Sequence, residues 1–108
     1  MVGPHPSVFE DDARLDEMAE NAKNATAMLK ALGHEGRLMI LCYLSQGEKT
    51  VTELEEILSM RQPAVSQQLA RLRADDLILA RREGKAIYYS IQDDRARKIM
   101  EVVYDLFC

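Results

Sequence analysis

The sequence predicts a mainly α fold that carries one small β-hairpin, an α+β arrangement of order α-α-α-α-β-β-α. Three observations point to it. Two short helical segments are joined by a four-residue break, two strand-like segments flank a Glu-Gly turn, and an amphipathic helix stands toward each end of the chain.

A chain of 108 residues is the size of one domain and can bury one modest core. Residues 1–11, with Gly3, Pro4 and Pro6, read as a mobile tail, and 12–108 as a single domain. From about Asp12, Leu15, Met18, Ala19, Ala22, Ala25, Leu29 and Leu32 recur at three- and four-residue steps, which predicts one helix ending near Gly33. A second helix over Glu35–Ser45 stops before Gly47. Its stripe of Leu38, Ile40, Leu41 and Leu44 faces the core, and a second stripe of Met39, Cys42 and Tyr43 needs a cover as well. The first helix or the last, from either of two subunits, is the expected cover.

Thr50-Val51-Thr52-Glu53 opens a third helix, with a capping box from Thr50 to Glu53. Leu54, Ile57 and Leu58 give it an apolar edge. Ser59-Met60-Arg61-Gln62 reads as a break, after which Pro63 takes the first helical position, where its missing N–H costs nothing. The fourth helix, Pro63 to about Ala74, turns Val65, Leu69 and Leu72 inward. Leu77–Arg82 and Lys85–Ile91 then form the hairpin around Glu83-Gly84. Asp93-Asp94 can cap a last helix to about Phe107, striped by Ile99, Met100, Val103, Leu106 and Phe107 and widened by Val102.

Net charge is −4, which by itself argues against a nucleic-acid partner, but the charge is uneven. Residues 1–35 hold seven acids against three bases, whereas 61–85 hold Arg61, Arg71, Arg73, Arg81, Arg82 and Lys85 against three acids. A binding face is set by local charge. The alternative is that both segments are solvated helix faces.

Helix, break, helix and basic hairpin in this order are the pattern of a winged helix-turn-helix. Gln62, Ser66, Gln67 and Gln68 present small hydrogen-bonding groups of the kind that read base edges. Arg61, Arg71 and Arg73 suit phosphates, and Arg81, Arg82 and Lys85 place cations on the hairpin for the backbone or the minor groove. Double-stranded operator DNA is the expected partner. No apolar run approaches the roughly eighteen residues that cross a bilayer, and no secretory signal is visible, so no membrane partner and a cytoplasmic location are expected. A glycine-rich phosphate loop, a nucleophile-base pair and a carboxylate dyad are all missing, so an enzyme is not expected. A dimerisation module that binds no DNA is the remaining alternative.

Across about residues 15–108 the sequence resembles the ArsR family of winged-helix repressors. Ala31-Leu32-Gly33-His34-Glu35-Gly36-Arg37-Leu38-Met39-Ile40-Leu41, Thr52-Glu53-Leu54 and Pro63-Ala64-Val65-Ser66-Gln67-Gln68-Leu69 carry the likeness. Arg71-Leu72-Arg73-Ala74-Asp75-Asp76-Leu77-Ile78 and Arg82-Glu83-Gly84-Lys85 complete it. The resemblance implies a homodimer built through the first and last helices. Neither metal site familiar in that family is present. Leu54, Glu55 and Glu56 stand where the arsenic and cadmium type carries cysteines, and the last helix, with Asp93, Asp94, Glu101 and Asp105, has no histidine. His5 falls in the tail, and His34 reads as a capping or surface residue. No metal and no cofactor are expected.

Cys42 on the second helix and Cys108 at the end of the last, with Gln67-Gln68 after Ser66, resemble the persulfide-responsive subgroup of the family. The resemblance implies that these two thiols sense a persulfide or polysulfide inducer and are joined through sulfur when the repressor leaves DNA. On the residues alone, a cysteine on an apolar helix is usually a small inert core residue, and a helix C-terminus disfavours the thiolate of Cys42. A thiophilic metal or metalloid, or a general oxidant, acting on the same cysteines is the other reading. Thiols more than roughly 15 Å apart would exclude the bridge, since a disulfide needs Cα atoms about 4.4–6.8 Å apart and each added sulfur lengthens it by ~2 Å.

Overall fold

A computed structural model describes residues 12–59 and 61–108. The tail expected over 1–11, with His5, and Met60 in the expected break lie outside the described residues. The order is α1 (Asp12–Leu32), α2 (Glu35–Leu44), β1 (Lys49–Thr50), α3 (Val51–Leu58), α4 (Gln62–Ala74), β2 (Ile78–Glu83), β3 (Ala86–Ile91) and α5 (Asp94–Phe107). Five helices and a hairpin in this order make a winged helix. The chain divides into two units between Lys30 and Ala31.

The first unit is helix α1 up to Lys30. Thr26 donates its hydroxyl to the Ala22 carbonyl at 2.7 Å. The helix read from the sequence is present, but its stripe residues Leu15, Met18 and Leu29 are exposed.

The second unit holds the core. Ala31 and Leu32 are buried in it, with Ile40, Leu41 and Leu44 of α2, Leu54 and Leu58 of α3, and Val65, Leu69 and Leu72 of α4. Leu77, Ile78 and Ile91 close it from the sheet side, and Ala96 and Met100 from α5. Two expectations change. Leu38 is half-buried instead of core, and α5 buries Ala96, a residue too small to register in an apolar stripe, while Val102, Leu106 and Phe107 stay exposed.

Local chemistry sets the element ends. His34 is the N-cap of α2, its ring Nδ1 accepting from the Arg37 N–H at 3.4 Å. The capping box of α3 forms in both directions: Glu53 N–H to Thr50 Oγ1 at 3.1 Å, and Thr50 N–H to Glu53 Oε1 at 2.9 Å. Helix α4 begins one residue earlier than expected, at Gln62, because Arg61 serves as N-cap with extended backbone. It ends in a Schellman motif: Asp76 stands at φ 58° and donates to the Arg73 carbonyl, and the Leu77 N–H reaches the Leu72 carbonyl, both at 3.0 Å. Asp93 caps α5, accepting from the N–H groups of Arg95 at 2.8 Å and Ala96 at 3.0 Å.

The sheet has the order β1-β3-β2, antiparallel throughout. Its hairpin pairs Ile78 with Ile91 and runs out to Glu83 opposite Ala86, with Gly84 at φ 61° in the turn, a conformation that a side chain would oppose. Strand β1 was not foreseen. Its two residues, Lys49 and Thr50, pair with Tyr89 and Tyr88.

Candidate functional site

Two places in the second unit gather the residues that the sequence singles out. The first lies where α2 ends against α5. Cys42 is in the last turn of α2, and its carbonyl accepts the Ser45 hydroxyl at 2.6 Å, so the chain there is held by its own C-terminal turn. Cys108 follows the last residue of α5, its N–H bonded to the Tyr104 carbonyl at 2.8 Å. The two cysteines stand sixty-six positions apart in sequence, yet both line one groove, and the Cys108 thiol acts on that of Cys42. Both are free.

Their surroundings differ. Cys42 is half-buried and Cys108 is exposed. Burial pushes the Cys42 thiol above its ordinary pKa, and the adjoining Cys108 thiol adds to the effect. The pair shares a groove of about 390 Å³ lined also by Leu38, Met39, Tyr43, Gln46 and Tyr104. Among the described residues that line it, none has a charged side chain. Tyr104 lies one helical turn before Cys108 and could have been found by counting back four from it; Gln46 carries no such signal. Among the described residues, no group of three or more His, Cys, Asp or Glu is placed to hold a metal ion.

The second place is the outer face of α4 and the hairpin. Ser66 and Gln67 are exposed side by side on α4. Gln68 is half-buried and turned toward α2, its amide carbon 3.9 Å from where a Cβ on Gly36 would stand. Gln62 contributes the first backbone turn of the helix. Arg71 and Arg73 are exposed, Arg71 paired with Asp75 at 3.2 Å.

On the hairpin, strand alternation sends successive arginines to opposite faces. Arg82, opposite Ile87, lies on the face that carries buried Ile78, but beyond the core and exposed; Lys85 is exposed in the turn. Arg81 lies on the other face with both sides of its guanidinium engaged. It donates to Glu48 from Nε at 3.2 Å and from Nη2 at 2.8 Å, and to Glu83 from Nη1 at 2.6 Å. It also stacks on Tyr88 at 4.9 Å. These carboxylates raise its pKa, and the Arg81 hydrogen bond lowers that of Glu48.

Comparison with known proteins finds the description "Bacterial regulatory protein, arsR family" over residues 34–79. The chain is 44% identical over 94 residues to the biofilm growth-associated repressor of Agrobacterium fabrum, covering 87% of this chain and 80% of that one. Among solved structures it is similar to reduced HlyU from Vibrio cholerae, with TM-score 0.82 and 38% identity over 85% of this chain and 97% of that one. It is also similar to the transcriptional repressor BigR from Xylella fastidiosa, with TM-score 0.80 and 36% identity over 86% of this chain and 92% of that one. The chain belongs to the arsR family of bacterial regulatory proteins, and is a transcriptional regulator and not an enzyme.

Proposed function

We propose that this regulator, with 12–108 as its working domain, binds operator DNA as a homodimer while Cys42 and Cys108 are reduced, and is released when sulfane sulfur bridges them. The observation that carries the reading is the meeting of two thiols from distant parts of the sequence in one uncharged groove. Two of the similar proteins are described as repressors, and one solved relative as its reduced form.

Each thiol has its own part. Cys108, exposed, takes the first sulfur: its thiolate attacks the outer sulfur of a persulfide and the partner thiol leaves. Cys42, which burial holds protonated, reacts second. A bridge of four sulfurs consumes three persulfide molecules. Two donate a sulfur each and depart as thiols; the third accepts the two electrons and two protons released on closure and leaves as a thiol and hydrogen sulfide. The new link joins α2 to α5, which with α1 supplies the dimer interface in this reading. A change there alters the spacing of two recognition helices that must meet half-sites about 34 Å apart.

On the DNA side, Ser66 and Gln67 face base edges, while Arg71, Arg73, Arg82 and Lys85 meet phosphates. Gln62 is assigned to DNA reading from its place in the sequence at the first backbone turn of α4; Gln68 supports the reading face from below, against α2.

The test is intact mass spectrometry after treatment with a persulfide donor, run beside a DNA mobility shift. A gain of two sulfurs with loss of two hydrogens, together with release from DNA, is the expected result. A bare loss of two hydrogens would point instead to an ordinary disulfide switch, and a retained metal mass to a thiophilic ion. Full DNA binding by the bridged form overturns the proposal.

A further inference from the structure

Arg81 reads from the sequence as one of three hairpin cations available to DNA, yet the structure engages all three of its guanidinium nitrogens within the chain. Its side chain starts on β2, crosses β3 over the ring of Tyr88, its register partner, and ends on Glu48, the residue before β1. Glu83, two residues along β2 on the same face, holds the remaining nitrogen. One guanidinium thus reaches from β2 across β3 to the residue that leads into β1, following the strand order β2-β3-β1. Glu48 stands two residues before Thr50, the N-cap of α3, so the far end of the span is fixed to the helix-turn-helix.

We infer that Glu48 is a positioning residue for DNA binding: by gripping Arg81 across the sheet it sets the pitch of the hairpin, and Arg81 acts as a strut and not as a phosphate contact. Two physical points support this beyond the geometry. A single exposed ion pair contributes little, but here a two-pronged arginine–carboxylate contact, a second carboxylate and a ring contact act on one group. Two carboxylates also cancel the cation locally, leaving it little attraction for a phosphate, while Arg82 and Lys85 stand exposed near the turn. Strand β1 has only two residues, so the backbone ladder alone gives the hairpin a weak hold on the helices, and the side-chain span supplies a second one.

The inference rests on the DNA-binding reading, and one experiment separates the two. Binding of the dimer to a random-sequence duplex of about 30 base pairs is measured as Kd against salt concentration for wild type, R81K, R81Q, E48Q and R82Q. Each lost phosphate contact lowers the salt slope by about 0.9. The expected result is a reduced slope for R82Q and an unchanged slope for R81K, R81Q and E48Q. Those three variants bind roughly threefold or more weakly at every salt, and E48Q with R81Q together is no worse than R81Q alone. Hydrogen exchange of the hairpin amides between Arg82 and Ile87 should quicken in free E48Q. Three results overturn the inference: R81K behaving as wild type while R81Q loses slope, E48Q binding more tightly because it frees a cation, or hairpin exchange unchanged in E48Q. Absence of duplex binding by the wild type at low salt would instead remove the DNA-binding reading itself.

Discussion

Helices α4 and α5 are of similar length and both carry an apolar stripe, but they dispose of it differently. In α4, Val65, Leu69 and Leu72 are buried to 1% exposure or less. In α5, Met100 is fully buried, yet Leu106 is 71% and Phe107 82% exposed within one chain. The recognition helix is finished by its own core; the last helix is finished only near its start. A single chain therefore packs α4 completely and leaves the end of α5 exposed.

The strongest way to break that contrast is in α4. Leu72→Ala should cost about 2–5 kcal/mol, because a buried leucine is lost and the cavity relaxes only in part. Chemical denaturation reads this directly, and a loss below about 1 kcal/mol would mean that α4 is less completely packed than its burial indicates. In α5 the corresponding change should leave the chain folded and act on assembly. Leu106→Ser with Phe107→Ser is expected to convert the proposed dimer to monomer in sedimentation analysis while the helix content by circular dichroism stays unchanged. A persisting dimer would move the interface away from the end of α5.

Smaller effects sharpen the same picture. Thr50→Ala removes the cap that starts α3 and should cost about 1 kcal/mol, with the first turn of that helix exchanging faster. The Cys42 thiol, raised by burial, should be alkylated with a pH midpoint above that of an ordinary thiol. In Cys108→Ser the midpoint should fall part of the way back, since burial is the larger cause and Cys108 the lesser. The sign for stability follows. The folded chain holds that proton more tightly than the unfolded one, so this contribution is complete below the ordinary thiol pKa and fades as pH rises through the raised value. A midpoint at or below that of free cysteine would remove the basis for assigning Cys42 the second step.

What the sequence made legible is what depends on neighbours a few residues away. The helices of the second unit, the capping box at Thr50, the turn at Gly84 and the cap at Asp93 are all short-range patterns, and each is found within a residue of its expected place. The misses are long-range. Strand β1 exists only because Tyr88 and Tyr89 lie beside Lys49 and Thr50, and two residues carry no alternation to read. Arg81 cannot be told from Arg82 by composition; the parity of the strand and a carboxylate thirty-three positions away decide their separate fates. Gln68 looks like its neighbour Gln67 until the glycine of α2 opens a place for it. For the thiols, the family resemblance paired Cys42 with Cys108, and their contact depends on how α5 lies on α2.

That contact has a consequence for the lifetime of the protein. A sulfur link between Cys42 and Cys108 would close a loop of sixty-six positions, and on a chain-entropy account such a closure removes about 4 kcal/mol worth of freedom from the unfolded ensemble. The form that has let go of DNA would then be the harder one to unfold. It would resist proteases that act on opened chains and persist until reductants return it to service, so the silenced pool would act as a reserve and not as waste.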